Sequence, residues 1–351
     1  MVSNAEELVS VLITTFNSAA TLPACLESLR TQNYSRVEIV IVDNASTDGT
    51  REALGAAPAN ARVIMNPRNV GFAAAQNQAI QAGRGEWLLS LNPDVILDAK
   101  FVSHLVAAAQ NEPKIGALCG KLLRWQPEAP IQKTNILDST GIYFLRNLRH
   151  LDRGADEEDR HQYQQTEYVF GATGAAAMYR RMMVEDISVE GEFFDHGFFA
   201  YREDADLAWR AQLMDWRCLY VPEALGWHQR RVTPERRRQL PLVINWHSVK
   251  NRFLMRIKNI SLGLYLRLFF PTTIRDFMVV GYALLRDWRL LSALLYPMQI
   301  WPDLMRKRKL IQGKRRVSDR ELARWFSNSP VSEPLVRRHA ADSVQMSANN
   351  V

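Results

Sequence analysis

The chain has 351 residues, 47% of them hydrophobic and 23% charged, a balance that excludes an intrinsically disordered polymer. That length suits one large core or an α/β domain carrying a helical extension, and nothing repeats at solenoid or propeller spacing. The formal charge of +7 is uneven: Arg230, Arg231, Arg236, Arg237 and Arg238 form one cluster, and Arg306 to Lys309 with Lys314, Arg315 and Arg316 form another. Such patches are either solvated faces or attractors of phosphate, whether on nucleic acid, anionic lipid or a diphosphate substrate.

Met1 to Leu8 carries Glu6 and Glu7 and no basic stretch, so no signal peptide is expected. No window reaches 18 uninterrupted apolar residues, which argues against an ordinary spanning helix. The expectation is a cytoplasmic protein able to rest on a membrane. Cys25, Cys119 and Cys218 lie far apart with no CxxC pair, so neither a zinc site nor a disulfide framework is expected.

Val9 to Ile13 is an apolar run ended by Thr14-Thr15-Phe16-Asn17, the pattern of a buried strand opening into a loop. Leu22, Cys25, Leu26 and Leu29 follow at helical spacing. Val37 to Val42 forms a second strand, closed by Asp43-Asn44-Ala45-Ser46-Thr47-Asp48-Gly49. Strand, helix and strand, with a polar loop after each strand, begin a doubly wound α/β domain. Ala61 to Met65, Glu86 to Leu91 and Ile115 to Leu123 predict further strands; Gly71 to Ala82 and Asp98 to Gln110 predict helices. Arg124 to Gln165, with the acidic patch Asp156 to Asp159, reads as an insertion or long loop contributing to acceptor binding. Small residues run from Gly171 to Ala177, and a dense polar-aromatic stretch from Phe193 to His228, with a short strand at Cys218 to Val221. Beyond Leu240 the pattern becomes amphipathic and helical, with Pro271, Pro297 and Pro302 as expected breaks. The expected domains are thus 1–240, a helical extension at 241–316, and a polar tail at 317–351 that is partly disordered at its end.

In an open parallel sheet, ligands sit at the carboxyl ends of the strands. Thr15 with Asn17, Asp43 with Asp48, and Asn92 with Asp94 all fall there, although a lone Asp after a strand also serves as a helix cap. No GxGxxG follows the first strand and no GxxxxGK[ST] occurs, which disfavours a dinucleotide fold and a P-loop enzyme. A carboxylate can still accept from a base or ribose while a divalent ion neutralises a diphosphate, and Asp43 and Asp94 suit those two tasks. Glu203, Asp204 and Asp206 form the other acidic cluster; they suit a helix N-terminus, but the aromatic approach from Phe193 to Tyr201 points to a walled pocket. His228 is either an isolated structural histidine or a ligand to a metal already bound by Asp94.

These blocks together resemble family 2 of the inverting glycosyltransferases, which have the GT-A fold. The likeness runs from Val9 to Arg230. It is carried by the run from Val9 to Asn17, by Val40-Ile41-Val42-Asp43-Asn44-Ala45-Ser46-Thr47-Asp48-Gly49-Thr50, by the run from Asn69 to Asn77, by Leu91-Asn92-Pro93-Asp94, and by the run from Phe198 to Arg210 with His228 beyond it. Within the family the chain is most similar to the rhamnosyltransferase-like subgroup.

The resemblance implies a mostly parallel central sheet with flanking helices, and donor contacts from Thr15, Asn17, Asp43, Asn69, Gly71, Asn77 and Asn92. It implies Mg2+ or Mn2+ on Asp94, with His228 as a further ligand, and Asp204 as general base supported by Glu203. Gly171, Ala172, Thr173, Gly174, Tyr201 and Asp206 would border the sugar or acceptor, with small residues avoiding steric conflict. The donor would be a nucleotide-diphospho-sugar, dTDP-L-rhamnose foremost. The acceptor would be a glycan or a polyprenyl-diphosphate-linked glycan at the inner face of the cytoplasmic membrane, in surface polysaccharide synthesis. Two departures stand out: Asn92 replaces the first carboxylate of the Asp-x-Asp motif, and His196 stands where Glu is commoner. The rivals are a sugar-phosphate nucleotidyltransferase, disfavoured because Thr14 to Ala20 holds no basic residue, and a non-catalytic carbohydrate- or nucleotide-binding module. Nucleic acid is an unfavoured partner, there being no recognised reader motif. The apolar, arginine-bearing stretch from Leu262 to Trp301 suits an anionic membrane surface, packing on the catalytic domain, or a homodimer.

Overall fold

A computed structural model describes residues 7–110, 112–128, 130–230 and 241–335. The first half alternates as expected: β1 (Val9–Thr15), α1 (Leu22–Arg30), β2 (Val37–Asp43), α2 (Thr50–Leu54), β3 (Arg62–Met65), α3 (Phe72–Ala82), β4 (Trp87–Leu91), β5 (Val95–Leu97) and α4 (Phe101–Ala109). Every residue of β1 is buried because both faces of the sheet are covered. Val9, Val11 and Ile13 join one core with Leu22, Leu26 and Phe101, while Leu12 packs on the opposite side with Ala73 and Ala79 of α3. The alanines bring α3 close to the sheet.

Then come β6 (Ile115–Gln126), β7 (Gln132–Ser139), β8 (Ile142–Leu145), β9 (His150–Asp152), β10 (Glu167–Val169), β11 (Ala176–Arg180), α5 (Arg181–Ile187), α6 (Glu203–Leu213) and β12 (Arg217–His228). Here the structure differs from the expected long loop after Arg124. β7 pairs antiparallel with β6, and β8 with β9. The outer half of β7 is an exposed edge whose polar residues carry no hydrophobic alternation. The acidic patch beside it is a fastening: Asp159 pairs with buried Lys121 at 2.9 Å and Asp156 with Arg124 at 2.5 Å.

After residue 240 the chain forms α7 (Leu242–Asn259), α8 (Leu262–Arg267), α9 (Phe269–Arg286), α10 (Leu291–Gln299), α11 (Trp301–Gly313) and α12 (Asp319–Ala323), then β13 (Phe326–Ser327) and β14 (Glu333–Pro334). No helix among the described residues is long and apolar enough to cross a membrane. The large sheet runs β14-β10-β12-β6-β11-β4-β1-β2-β3. Only β10 and β11 oppose the common direction, so seven of its nine path strands run one way.

The expected polar tail is another difference, for its described part is structural. Ser318 and Glu321 form a capping box on α12, and β13 and β14 extend β8 and β10. Phe326 is buried against Phe144, Phe170 and Trp209, at ring separations of 5.5, 5.9 and 5.1 Å. Elements of two residues have no period to read. The disorder expected at the extreme C-terminus, and the arginines at 231 and 236–238, lie outside the described residues.

Candidate active site

Parallel pairing in register sets Thr15 opposite Asp43 at the carboxyl edge of β1 and β2. The Asp43 carboxylate is wholly buried and accepts from Thr15 Oγ1 at 2.9 Å and Ser46 N at 3.1 Å, with Arg51 Nε 3.7 Å away. Its oxygens therefore lace two loops together. Asn17, at a φ of 51°, accepts from Thr47 N at 2.9 Å. Asn44 donates to Asn69 Oδ1 at 2.8 Å, and the same oxygen accepts from Gly71 N at 2.9 Å. Asp48 accepts from Ala19 N and Thr50 N, ordering the turn into α2. Five of the expected donor-side residues, Thr15, Asn17, Asp43, Asn69 and Gly71, thus belong to one hydrogen-bonded loop system.

The second group forms where β5 pairs antiparallel with the end of β12, setting His228 opposite Val95. His228 Nε2 lies 3.5 Å from Asp94 Oδ1, and Nδ1 lies 2.7 Å from Asp138 Oδ2. Asp138, fully buried on β7, also pairs with Arg230 at 2.7 Å. Burial opposes a charge on His228, but Asp138 and Asp94 outweigh it and push the imidazole up to about 10. A carboxylate that fixes one ring nitrogen so that the other faces a second carboxylate is the arrangement of a histidine metal ligand and its outer partner. The donor set of Asp94 oxygen and histidine nitrogen therefore fits a divalent ion, with nitrogen favouring Mn2+ over Mg2+. Sequence reasoning missed Asp138, which sits in an edge segment with no motif around it. Glu192, Asp195 and His196 form another group of potential ligands, but Asp195 is already held by Lys258 and Lys307, two cations that compete with any metal.

The third group is the start of α6. Phe199, Tyr201 and Arg202 take φ values of 64°, 71° and 71°, conformations that cost non-glycine residues about 1–3 kcal/mol each and persist only where the surroundings enforce them. The enforcement comes from α7. Asn251 Nδ2 donates to the carbonyls of Phe198, Ala200 and Tyr201 at 2.9, 2.8 and 2.8 Å. Lys250 Nζ donates to Gly197 O at 2.7 Å, and Arg202 Nε reaches back to Ser248 O at 2.9 Å. The helical extension is therefore part of the site. A signal existed in the sequence: Asn251 and Lys258 share a buried helical stripe with Leu254 and Met255, positions where polar groups need a purpose.

The strained turn presents Glu203 and Asp204. Asp204 Oδ2 accepts from Gly174 N at 3.1 Å and Oδ1 from Ala205 N at 2.7 Å. Burial, reinforced by the Asp204 charge, pushes Glu203 up to about 8; burial and the Asp152 charge raise Asp204 as well. The next residue along from Gly174 closes the circuit, because Ala175 O accepts from Asn92 N at 2.9 Å. One dipeptide thus joins the Asp204 carboxylate to the Asn92-Pro93-Asp94 loop. Ala172 and Thr173 are buried beside it. Gly171 is small for a different reason than expected: a Cβ there would stand 2.2 Å from Ala208 Cβ of α6.

Two expected residues are turned inward. Asn77 exchanges both amide hydrogen bonds with the Phe194 backbone, at 2.7 and 2.9 Å. Asp206 is buried under Arg210 at 3.0 Å, Lys258 at 3.2 Å and Asn259 at 2.8 Å. Both serve packing rather than an open pocket. Tyr201 remains half-buried next to Glu203.

The model of glycosyl transferase family 2 matches residues 10–188, half of the chain, from β1 through α5. The chain belongs to that family. Among curated relatives, it is 26% identical over 241 residues to the N-acetylglucosaminyl-diphospho-decaprenol L-rhamnosyltransferase of Mycobacterium tuberculosis, covering 64% of this chain and 76% of the relative. It is 22% identical over 271 residues to the poly-beta-1,6-N-acetyl-D-glucosamine synthase of Staphylococcus epidermidis, covering 75% and 60% respectively. Two solved structures share the fold. One is GalNAc-T7 with UDP, GalNAc and Mn2+, at a TM-score of 0.56, 14% identity, and coverage of 73% of this chain and 48% of that one. The other is the mannosyltransferase PcManGT from Pyrobaculum calidifontis with GDP-Man and Mn2+, at 0.50, 16%, and 85% and 76%. The family 2 glycosyltransferase thus has the expected GT-A fold, and the rival nucleotidyltransferase and binding-module readings are not favoured.

Proposed function

We propose that this family 2 glycosyltransferase moves a sugar, L-rhamnose from dTDP-L-rhamnose in the first instance, onto a glycan carried on polyprenyl diphosphate during bacterial surface polysaccharide synthesis. The observation that carries the reading is the Gly174-Ala175 bridge, whose adjacent backbone groups tie the Asp204 carboxylate to the Asn92–Asp94 loop. The rhamnosyltransferase relative supports donor and acceptor alike.

The reaction is a single displacement. Asp204 accepts the proton of an acceptor hydroxyl as that oxygen bonds to the anomeric carbon. The bond from that carbon to the diphosphate oxygen breaks, its electron pair leaves with the nucleoside diphosphate, and configuration inverts. A positioned base contributes about 10²–10⁴-fold. Burial raises both Glu203 and Asp204, so the pair resists a second negative charge, and Asp204, held by Gly174 N and Ala205 N, is the carboxylate that accepts the proton. Thr15, Asn17 and the loop laced by Asp43 border the nucleotide, and Asn69, Gly71 and Asn92 line the donor side. Asp94 and His228 would hold Mn2+ or Mg2+, which supplies neutralisation of the leaving diphosphate when bound. The setting is the inner surface of the cytoplasmic membrane, where a lipid-carried acceptor resides.

The test is Asp204→Asn assayed with dTDP-L-rhamnose and, in parallel, UDP- and GDP-sugars. Transfer should fall by at least about 10²-fold while nucleotide binding stays measurable. Unchanged turnover removes Asp204 from the role, and exclusive use of another donor removes rhamnose.

A further inference from the structure

The site leaves one feature of the extension unused. α9 carries Phe270, Ile274, Phe277, Met278 and Leu285 at helical spacing, and none is covered by the other described residues; Phe270 is 77% exposed, Phe277 74% and Leu285 85%. Single exposed apolar residues are ordinary, but a continuous stripe of large ones marks a docking face. Of the destinations open from the sequence, packing of this stripe on the catalytic domain is therefore removed.

Charge at the edge of the stripe indicates what covers it. Asp276, the acid of this segment, is neutralised by Arg252 at 3.1 Å and by Arg256. Arg275, its neighbour on α9, has a buried Nε without a hydrogen-bond partner among the described residues. Burial, reinforced by the nearby Arg149 charge and only partly offset by Asp276, holds Arg275 below the ordinary arginine range. Arg149 belongs to the turn between β8 and β9, and Arg252 fastens α7 to that turn through Asn147 O at 3.2 Å. The next residue, His150, contacts Arg202 at 3.1 Å, and Arg202 immediately precedes Glu203 and Asp204. Among the described residues Arg149 and Arg275 thus make no salt bridge, and contacts lead from α9 through this turn to Arg202, beside Glu203 and Asp204. Like charges left together in this way call for an anion.

We infer that Arg149 and Arg275 clasp the diphosphate of an isoprenoid-diphosphate acceptor while its hydrocarbon lies against the α9 stripe at the bilayer surface. The order of parts matches such a molecule: hydrocarbon on α9, diphosphate at the two arginines, sugar at Asp204. The inference rests on the proposed function for its choice of ligand, but not for its test. A second copy of this chain would cover the stripe and yet leave the arginines unanswered, since the described carboxylates there, Asp276 and Asp287, are already paired with Arg252, Arg256 and Arg289.

The probe is farnesyl diphosphate, with inorganic diphosphate and farnesol as its two halves, in equilibrium binding to the full chain. Farnesyl diphosphate should bind much more tightly than either half. The double variant Arg149→Gln/Arg275→Gln should weaken it by at least about tenfold, and so should Phe277→Ser/Leu285→Ser, with dTDP affinity unchanged in both as the control for folding. Equal binding of farnesyl diphosphate to wild type and the arginine variant overturns the clasp; equal binding of inorganic and farnesyl diphosphate overturns the lipid. Concentration-dependent self-association abolished by Phe277→Ser/Leu285→Ser, with no farnesyl diphosphate binding, assigns the stripe to a dimer and also overturns the proposal. Loss of the rhamnosyl transfer reading alone would leave farnesyl diphosphate binding intact, so the two failures are distinguishable.

Discussion

Replacing Asn251 with Ala removes a residue far from the chemistry in sequence and one step from it in space. Its amide lends two hydrogens to the carbonyls of Phe198, Ala200 and Tyr201. A neutral hydrogen bond contributes about 1 kcal/mol net, and each buried carbonyl left without a donor costs about 1–3 kcal/mol. Those bonds oppose strain at Phe199, Tyr201 and Arg202 of about 1–3 kcal/mol apiece. Losing about 3 kcal/mol from the brace is therefore enough for the turn to relax toward unstrained angles and carry Glu203 and Asp204 with it. If that energy separates the competent turn from the relaxed one, kcat should fall by about 10²-fold, since 1.36 kcal/mol is a factor of ten. Thermal unfolding should drop by only a few degrees, and dTDP affinity should hold because the donor loops are fastened by Asp43 and Asn44 instead. Asn251→Asp keeps the shape but turns an acceptor toward three carbonyls, so it should be worse than Ala. The assay is steady-state kinetics beside differential scanning calorimetry. A kcat within twofold of wild type for Asn251→Ala would refute the idea that α7 maintains the strained turn.

The acidic pair supplies a pH signature. Glu203 has its folded pKa raised to about 8 from an ordinary 4.5, so between those values the folded state holds a proton that the unfolded state has released; stability therefore falls as pH rises through that window. Glu203→Gln should lack this decline, and its melting temperature relative to wild type should increase from pH 5 to pH 8; a constant difference across that range would count against a raised Glu203. At Asp94 and His228, the proposed metal ligands, Asp138→Asn should weaken Mn2+ affinity by about 10–100-fold, measured by titration in the presence of the nucleotide. Affinity equal to wild type would mean that Asp138 does not orient His228 toward the ion.

The parallel half of the fold was legible because burial on both sides of a strand leaves a continuous apolar run, and because each strand ends where polar residues can reach a ligand. β1, β2 and β4 accordingly lie within two residues of their expected limits. Asp94 and His228 were readable as separate candidates, each tied to a local pattern. Their meeting was implied by the family resemblance but carried by no local pattern, since it depends on β5 pairing with the far end of β12. The segment from β7 to β9 failed as a sequence pattern because an edge strand has only one partner and half of its residues face water.

Local chemistry along the chain therefore determined the repeating strand-helix order, the polar loops at the strand ends and the acids available to them, since all of these follow from periodicity and residue type within a short window. Only the tertiary structure decided that Asp138 backs His228, that Gly174-Ala175 joins the two acidic loops, and that α7 holds a backbone turn its own residues would not choose. Those features depend on which distant surfaces meet. A hydrogen bond between residues tens of positions apart leaves no period in the chain, so its energy is visible only once the core has brought the partners together.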